Sequence, residues 1–126
     1  MKEIKEQEKE QRRNHILDTA EKLFFSKGYD NVSMDEIANE LEINKATLYI
    51  YFKNKESLFL AIVLRGVKIM HTMISKEVRD DRTGIETLSA IATAYLTFVN
   101  NYRDYNKASF TLCQEDSLSE NVNDNE

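Results

Sequence analysis

The stretch SMDEIANELEINKATLYIYFKNKESLFL, residues 33–60, decides the fold of this chain. Ser33 followed by Glu36 matches a capping box, in which two unpaired amides at a helix start are satisfied reciprocally. Asn44 is a good N-cap for a further helix that ends near Phe52. A turn of only two residues then separates two helices that are too short to be stable alone. This pattern predicts a helix-turn-helix.

Helical spacing of apolar residues continues on both sides of this stretch. A first helix is expected to end at Gly28, and Asn54 is expected to cap a long fourth helix that runs past Met70. A fifth helix over 85–99 and a sixth over 104–114 follow, without strand-like alternation beyond a few residues. The predicted fold class is all-α, with a three-helix helix-turn-helix domain joined by a long helix to a partial helical domain.

Gly66 falls inside the predicted fourth helix, where glycine costs about 1 kcal/mol relative to alanine. One interpretation is close packing against a neighbour, and the other is a flexible point in the helix. Gly66→Ala is expected to stabilise the protein if there is room for a methyl group.

The net charge of -5 is unevenly distributed along the 126 residues. Residues 1–68 hold twelve basic and twelve acidic side chains, whereas residues 69–126 hold five basic and ten acidic ones. Within residues 43–68, Glu56 is the single acid against five Lys and Arg. A basic segment inside an acidic protein favours a nucleic-acid-binding surface over an evenly charged one.

Several classes of protein are disfavoured by composition and motif. The chain has no Pro and one Cys, which argues against collagen-like and disulfide-rich folds. The first fifteen residues are rich in Lys and Glu and have no apolar core, and the longest uninterrupted apolar run, 58–64, is far shorter than the roughly 20 residues of a membrane span. A cytoplasmic protein without a membrane partner is expected.

His15 and His71 are isolated and Cys113 has no nearby cation, so no enzyme activity, metal or cofactor is expected.

The third helix has one apolar side and one side open to a partner. If Leu48 and Phe52 form its buried edge, the opposite face is centred on Ile50, with Ala46 and Thr47 beside it. On a monomer surface, an exposed isoleucine opposite the buried edge would be an unexplained apolar residue. In a major groove it can contact a thymine methyl. This helix therefore has the layout of one that reads base edges.

The flanks of the same helix carry groups suited to phosphates. Tyr49 and Tyr51 project to opposite sides, where their hydroxyls would reach the two walls of a groove. Lys45 can contact a guanine edge or a phosphate, and Lys55, in the first turn of the next helix, is a candidate phosphate anchor. The alternative is ordinary: half-buried tyrosines that pack, and a basic stretch that is only a solvated face.

Residues 12–60 resemble the N-terminal DNA-binding domain of the TetR family of bacterial and archaeal transcriptional repressors. The most specific part of the resemblance is Thr-Leu-Tyr-x-Tyr-Phe-x-x-Lys-Glu, residues 47–56. The resemblance implies a ligand-responsive repressor that binds a palindromic operator in double-stranded DNA as a dimer and leaves it when a small effector shifts the two heads. It also implies DNA contacts at Ser33, Lys45, Thr47, Tyr49, Tyr51 and Lys55.

Two positions depart from the family pattern. Glu42 stands where the turn usually has glycine, so a non-glycine residue must make this turn. A non-glycine residue can adopt a positive φ, but it does so uncommonly. Ala46 replaces another frequent glycine, and its methyl is expected to hold the backbone slightly away from DNA.

The second half resembles the family only in its layout, as a partial helical effector or dimerisation domain. Its aromatic residues either line a ligand cavity or form an ordinary core: Tyr95, Phe98, Tyr102, Tyr105 and Phe110. The predicted domains are an arm and DNA-binding domain over 1–54, the effector domain over 55–114 and a disordered acidic tail over 115–126. Family members usually have further helices that hold the dimer together, so weak self-association is expected here. The alternative function is a shortened interaction protein that associates with full-length relatives and binds DNA weakly.

Overall fold

The structure is a computed structural model that describes the backbone of residues 2–123 and the side chains of residues 3–114. This described part is built of helices and turns and contains no strand, which confirms the predicted all-α class. A short 3₁₀ turn, Tyr29–Asn31, follows the first helix. The six α-helices are α1 (Lys2–Lys27), α2 (Met34–Glu40), α3 (Lys45–Tyr51), α4 (Lys55–Ser75), α5 (Gly84–Asn101) and α6 (Arg103–Asn123).

The chain divides into two compact units between Ile62 and Val63, within α4. The first unit has a core to which each of its four helices contributes a fully buried side chain: Leu17, Ile37, Leu48, Leu58 and Ile62. Burying one such side chain contributes about 1.5–3 kcal/mol, so these helices stabilise one another despite the shortness of α2 and α3. Among its described residues, the second unit buries few apolar side chains: Val63, Ala94, Phe98 and Ala108.

The predicted N-caps are present at the starts of the short helices. The Ser33 Oγ accepts a hydrogen bond from the Glu36 amide at 3.1 Å, and the Asn44 Oδ1 accepts one from the Thr47 amide at 2.9 Å. The capping-box prediction is wrong in its other half, because the Glu36 carboxylate forms an ion pair with Lys27. That pairing joins α2 to the end of α1.

A complete capping box lies instead at the start of α5. Thr83 and Glu86 each satisfy the backbone amide of the other, at 3.2 and 3.3 Å. The sequence prediction started this helix at residue 85 and did not identify the capping box.

Glu42 makes the helix-turn-helix turn with φ at 57°, in the left-handed region. The Glu42 amide donates to the Asn39 carbonyl and the Ile43 amide donates to the Ala38 carbonyl, both at 3.1 Å. These two bonds are those of a Schellman motif, whose left-handed position is usually glycine. The expectation that a non-glycine residue makes this turn is confirmed.

Two helices are longer or more closely packed than their sequences predict. α6 continues past Gln114 to Asn123, because no proline or glycine interrupts the backbone there; residues 124–126 lie outside the described part.

Gly66 is buried against α6, and a Cβ atom built on it would lie 2.8 Å from the Tyr105 Cβ. The condition of room for a methyl group is not met, so close packing explains this glycine.

α4 has the length and composition of a helix that can cross a membrane, with 21 residues and a mean hydropathy of 1.6 over its most apolar window. The sequence prediction required an uninterrupted apolar run for a membrane span, and this criterion overlooked α4. Length and composition are weak support for a span, since core helices pass the same test, and Leu58, Phe59 and Ile62 of α4 are buried in the first unit.

Candidate nucleic-acid interface

α3 has the two-sided character that its sequence predicts. Leu48 and Phe52 are buried, whereas Ile50 is 74% exposed and Ala46 is exposed beside it. Thr47 is half-buried, and its hydroxyl donates to the Asn44 Oδ1 at 2.8 Å, so it is held by the cap of its own helix. The open face therefore centres on Ile50 and Ala46, with Thr47 at its edge.

The two tyrosines of α3 have different surroundings. Tyr49 is 41% exposed, and the Lys45 Nζ lies 5.8 Å from its ring centre. Tyr51 is half-buried and lines two open clefts between α3 and the N-terminal half of α1. Both phenol groups thus border the open face, one beside Lys45 and the other beside α1.

Lys45 is paired with an acid that the sequence interpretation did not single out. Its Nζ lies 2.9 Å from the Asp35 Oδ1, and both side chains are more than half exposed. The hydrogen bond to Asp35 and the negative charge of Asp35 raise the pKa of Lys45 above its ordinary value. A signal was present in the sequence, because a helix-turn-helix brings the first turn of α2, with Asp35, near the first turn of α3.

Lys55 has a neutral neighbour instead. Its Nζ lies 4.1 Å from the centre of the Tyr29 ring, which is a cation–π contact. Tyr29 also packs on Phe24 and Phe59, with ring centres 5.7 and 4.7 Å away. This aromatic cluster positions the Lys55 ammonium without cancelling its charge.

The N-terminal half of α1 contributes cations that the sequence interpretation also missed. Arg12 lines a cleft of about 650 Å³ with Thr47 and Tyr51, and Lys9 and Arg13 line one of about 520 Å³ with Ile50 and Tyr51. Glu6, Glu8 and Glu10 share these clefts, so the local charge is mixed. Three cations at helical spacing, positions 9, 12 and 13, were the signal available in the sequence.

In the second unit, three of the predicted ligand-binding residues, Phe98, Tyr102 and Tyr105, form a row of rings, and part of the predicted set lines a small cleft. Tyr95, Phe98 and Phe110 line a cleft of about 220 Å³ together with Gly66, Cys113 and neighbouring residues. Tyr102 stacks on Phe98 with ring centres 5.5 Å apart and lies 6.3 Å from Tyr105, which packs on Gly66. Tyr102 and Tyr105 do not line that cleft.

The open face of α3 thus combines an apolar centre with hydroxyl and ammonium groups at its borders. Ser33, whose hydroxyl caps α2, is exposed at the start of that helix. An apolar centre suits thymine methyl groups, and hydroxyl and ammonium donors suit base edges or phosphates. The chemistry of this surface matches a DNA groove.

Comparison with known proteins agrees with this geometry. The profile of the family described as "Bacterial regulatory proteins, tetR family" matches residues 16–62. The chain is 29% identical over 93 residues to the HTH-type transcriptional activator FasR of Mycolicibacterium smegmatis, covering 74% of this chain and 42% of FasR. It is 36% identical over 84 residues to an HTH-type transcriptional regulator of Staphylococcus aureus strain USA300, covering 67% of this chain and 45% of that protein.

Solved structures lead to the same family. A bacterial regulatory protein in the tetR family from Rhodococcus RHA1 superimposes with a TM-score of 0.67 at 29% identity, over 76% of this chain and 50% of that one. The chain therefore spans about half the length, or less, of the relatives that it matches. It belongs to the TetR family of bacterial regulatory proteins, and residues 16–62 carry the part that the family profile matches.

Proposed function

We propose that this protein is a sequence-specific, non-enzymatic transcriptional regulator of the cytoplasm that binds double-stranded DNA through α3. The observation that carries the proposal is Ile50, 74% exposed on the face opposite the fully buried Leu48. A large apolar side chain held outward on a rigid helix gains free energy when a partner covers it. In the major groove, the partner is a thymine methyl or another apolar base edge.

The groups around Ile50 complete the proposed interface. Tyr49, Tyr51 and Lys55 are assigned to phosphates, which fix the register of the helix without reading sequence. Ala46 and Thr47 adjoin Ile50 and are assigned to base edges, and Ser33 is assigned to a phosphate near the start of α2. The family resemblance supports DNA contacts for Ser33, Thr47, Tyr49, Tyr51 and Lys55, and the helical face of α3 supports those of Ala46 and Ile50. Ser33, Ala46, Tyr49 and Ile50 are exposed, and Thr47, Tyr51 and Lys55 are half-buried.

The proposed function is tested by selecting duplexes from a random DNA library with the full chain. Affinity for the selected duplex and for a scrambled one is then measured by fluorescence anisotropy. Ile50→Ala should lower the ratio of the two affinities by about fivefold or more, since base contacts contribute about 1–3 kcal/mol of discrimination. Ile85→Ala, the same substitution at an exposed isoleucine of α5, is the control and should leave the ratio unchanged. Failure to enrich any duplex, or equal ratios in both variants, would contradict the proposal.

Repression of transcription by occupying a palindromic operator is the proposed mode of regulation. The relative FasR is named an activator, so the sign of regulation has to be measured. A promoter that carries the selected duplex upstream of a reporter gene decides it: expression should fall when this chain is produced. Increased expression would reverse the proposed sign and leave the DNA-binding function intact.

Control by a small effector is the second part of the proposal. It is supported by the cleft beside Tyr95, Phe98 and Phe110, which is apolar and close to the aromatic row. A small aromatic or aliphatic compound that binds there should raise the melting temperature and release the selected duplex. Phe110→Ala should abolish both effects, whereas binding of the compound without release would contradict effector control.

A second candidate function, a helical interaction protein, is favoured by the second unit. Its described residues leave several large apolar side chains exposed: Val67, Val78, Leu88, Leu96 and Phe110. Such residues suit association with a longer relative. We expect mostly monomer at micromolar concentration in sedimentation equilibrium, and weak operator binding that a fused C-terminal dimerisation helix restores. A tight dimer of the unmodified chain would contradict this second candidate.

A further inference from the structure

The Lys45–Asp35 ion pair bears on what Lys45 does at the DNA. Asp35 is in the first turn of α2 and Lys45 in the first turn of α3, so the pair bridges the two helices of the helix-turn-helix. The sequence left two partners open for Lys45, a guanine edge or a phosphate. The contact with Asp35 favours one of them.

A phosphate is bound mainly through net charge and the release of counterions. The Asp35 carboxylate, 2.9 Å from the Lys45 ammonium, cancels the charge on which such a contact depends. It also places a negative charge beside α3 that repels phosphates of every sequence. Lys45 is therefore a poor phosphate anchor as long as Asp35 holds it.

A guanine edge is bound through hydrogen-bond donors, which the ion pair leaves in place. A lysine ammonium has three N–H donors, and Asp35 accepts one of them. Two donors remain for the O6 and N7 acceptors that guanine presents in the major groove. The hydrogen bond to Asp35 and its negative charge raise the pKa of Lys45 and so favour the protonated ammonium.

We propose that Asp35 is a specificity-determining residue: by pairing with Lys45, it offsets the charge that would anchor that lysine to a phosphate and leaves the remaining N–H donors of the ammonium for a guanine edge. This inference rests on the proposed function and adds to it a residue outside the resemblance. Lys55 provides the contrast within the same surface. Its neighbour, the Tyr29 ring, has no charge, so Lys55 keeps its attraction for phosphates.

The test compares Asp35→Asn with the unmodified chain, on the selected duplex and on a scrambled duplex, over a series of KCl concentrations. Releasing Lys45 should strengthen binding to the scrambled duplex. The slope of log K against log salt should become steeper by roughly 0.9 for each head bound. The affinity for the selected duplex should gain less, because Lys45 already binds a guanine edge there, so the ratio of selected to scrambled affinity should fall.

Two further variants separate the pair from a general charge effect. Glu40→Gln removes the same charge from the other end of α2. Its changes in the salt slope and in the affinity ratio should both be smaller than those of Asp35→Asn. Adding Asp35→Asn to a Lys45→Gln chain should give no gain in slope, because no ammonium is released. Thermal melting of each variant checks that the fold is retained.

Unchanged slope and ratio in Asp35→Asn, or the same gain in the Lys45→Gln background, would overturn the role of Asp35 while leaving the proposed function in place. An unmodified chain that binds selected and scrambled duplexes equally would overturn the proposed function itself. The two failures are distinguishable because the second is measured before any substitution is made.

Discussion

Replacing Gly66 by alanine tests how closely α4 and α6 pack within the second unit. Helix propensity alone favours the change by about 1 kcal/mol. The added Cβ would lie 2.8 Å from the Tyr105 Cβ and 3.0 Å from its Cδ1, well inside the contact distance of about 3.5–4.0 Å between carbon atoms. A Cβ atom is fixed to the backbone, so relief requires a shift of a helix, and such overpacking costs about 1–3 kcal/mol.

The expected result for Gly66→Ala is a net loss of about 1 kcal/mol in the free energy of unfolding. For a unit of this size, that lowers the melting temperature by about 4–8 °C. Circular dichroism gives the melting temperature, and hydrogen exchange at α4 to α6 shows that the loss lies in the second unit.

Gly84 is the matched control, because a Cβ built there meets no atom within 4 Å. Gly84→Ala should stabilise the protein by about 0.4–1 kcal/mol through the unfolded state. A Gly66→Ala protein that melts at or above the temperature of the unmodified chain would refute the packing argument.

Glu42→Gly should stabilise the first unit by about 0.5–1 kcal/mol in urea unfolding, since the left-handed φ of 57° strains a residue with a Cβ; a loss of stability would show that Glu42 makes a compensating contact. Lys55→Ala should lower DNA affinity and reduce the salt slope by roughly 0.9 for each head bound, because Lys55 is assigned to a phosphate. An unchanged slope in a folded Lys55→Ala protein would remove Lys55 from the interface. Tyr49→Phe should weaken binding to selected and scrambled duplexes by similar factors, since a phosphate contact carries no base information. Normal affinity in the Tyr49→Phe protein would contradict the phosphate role of its hydroxyl.

Local sequence was sufficient to predict the helix-turn-helix and the orientation of α3. Caps at Ser33 and Asn44 depend on hydrogen bonds between residues three apart, so the sequence carries the whole interaction. The exposure of Ile50 opposite Leu48 follows from the helical period alone. The left-handed turn at Glu42 was predictable because a two-residue turn between helices leaves the backbone few conformations.

Contacts between elements required the tertiary structure. The pairings of Lys45 with Asp35, Lys27 with Glu36 and Lys55 with Tyr29 join residues nine to twenty-six positions apart. Several oppositely charged or aromatic partners were available in the sequence, and only the packing angles of the helices decide which of them lie within a few ångströms.

The sequence by itself thus determined where α2 and α3 lie and which face of α3 is open, because both depend on near neighbours along the chain. Only the tertiary structure decided that Lys45 is held by an acid and that Gly66 has no room for a methyl group. Those two facts depend on distances between α2 and α3 and between α4 and α6. Helical period and capping do not encode such distances, because they arise from how whole faces of side chains fit together.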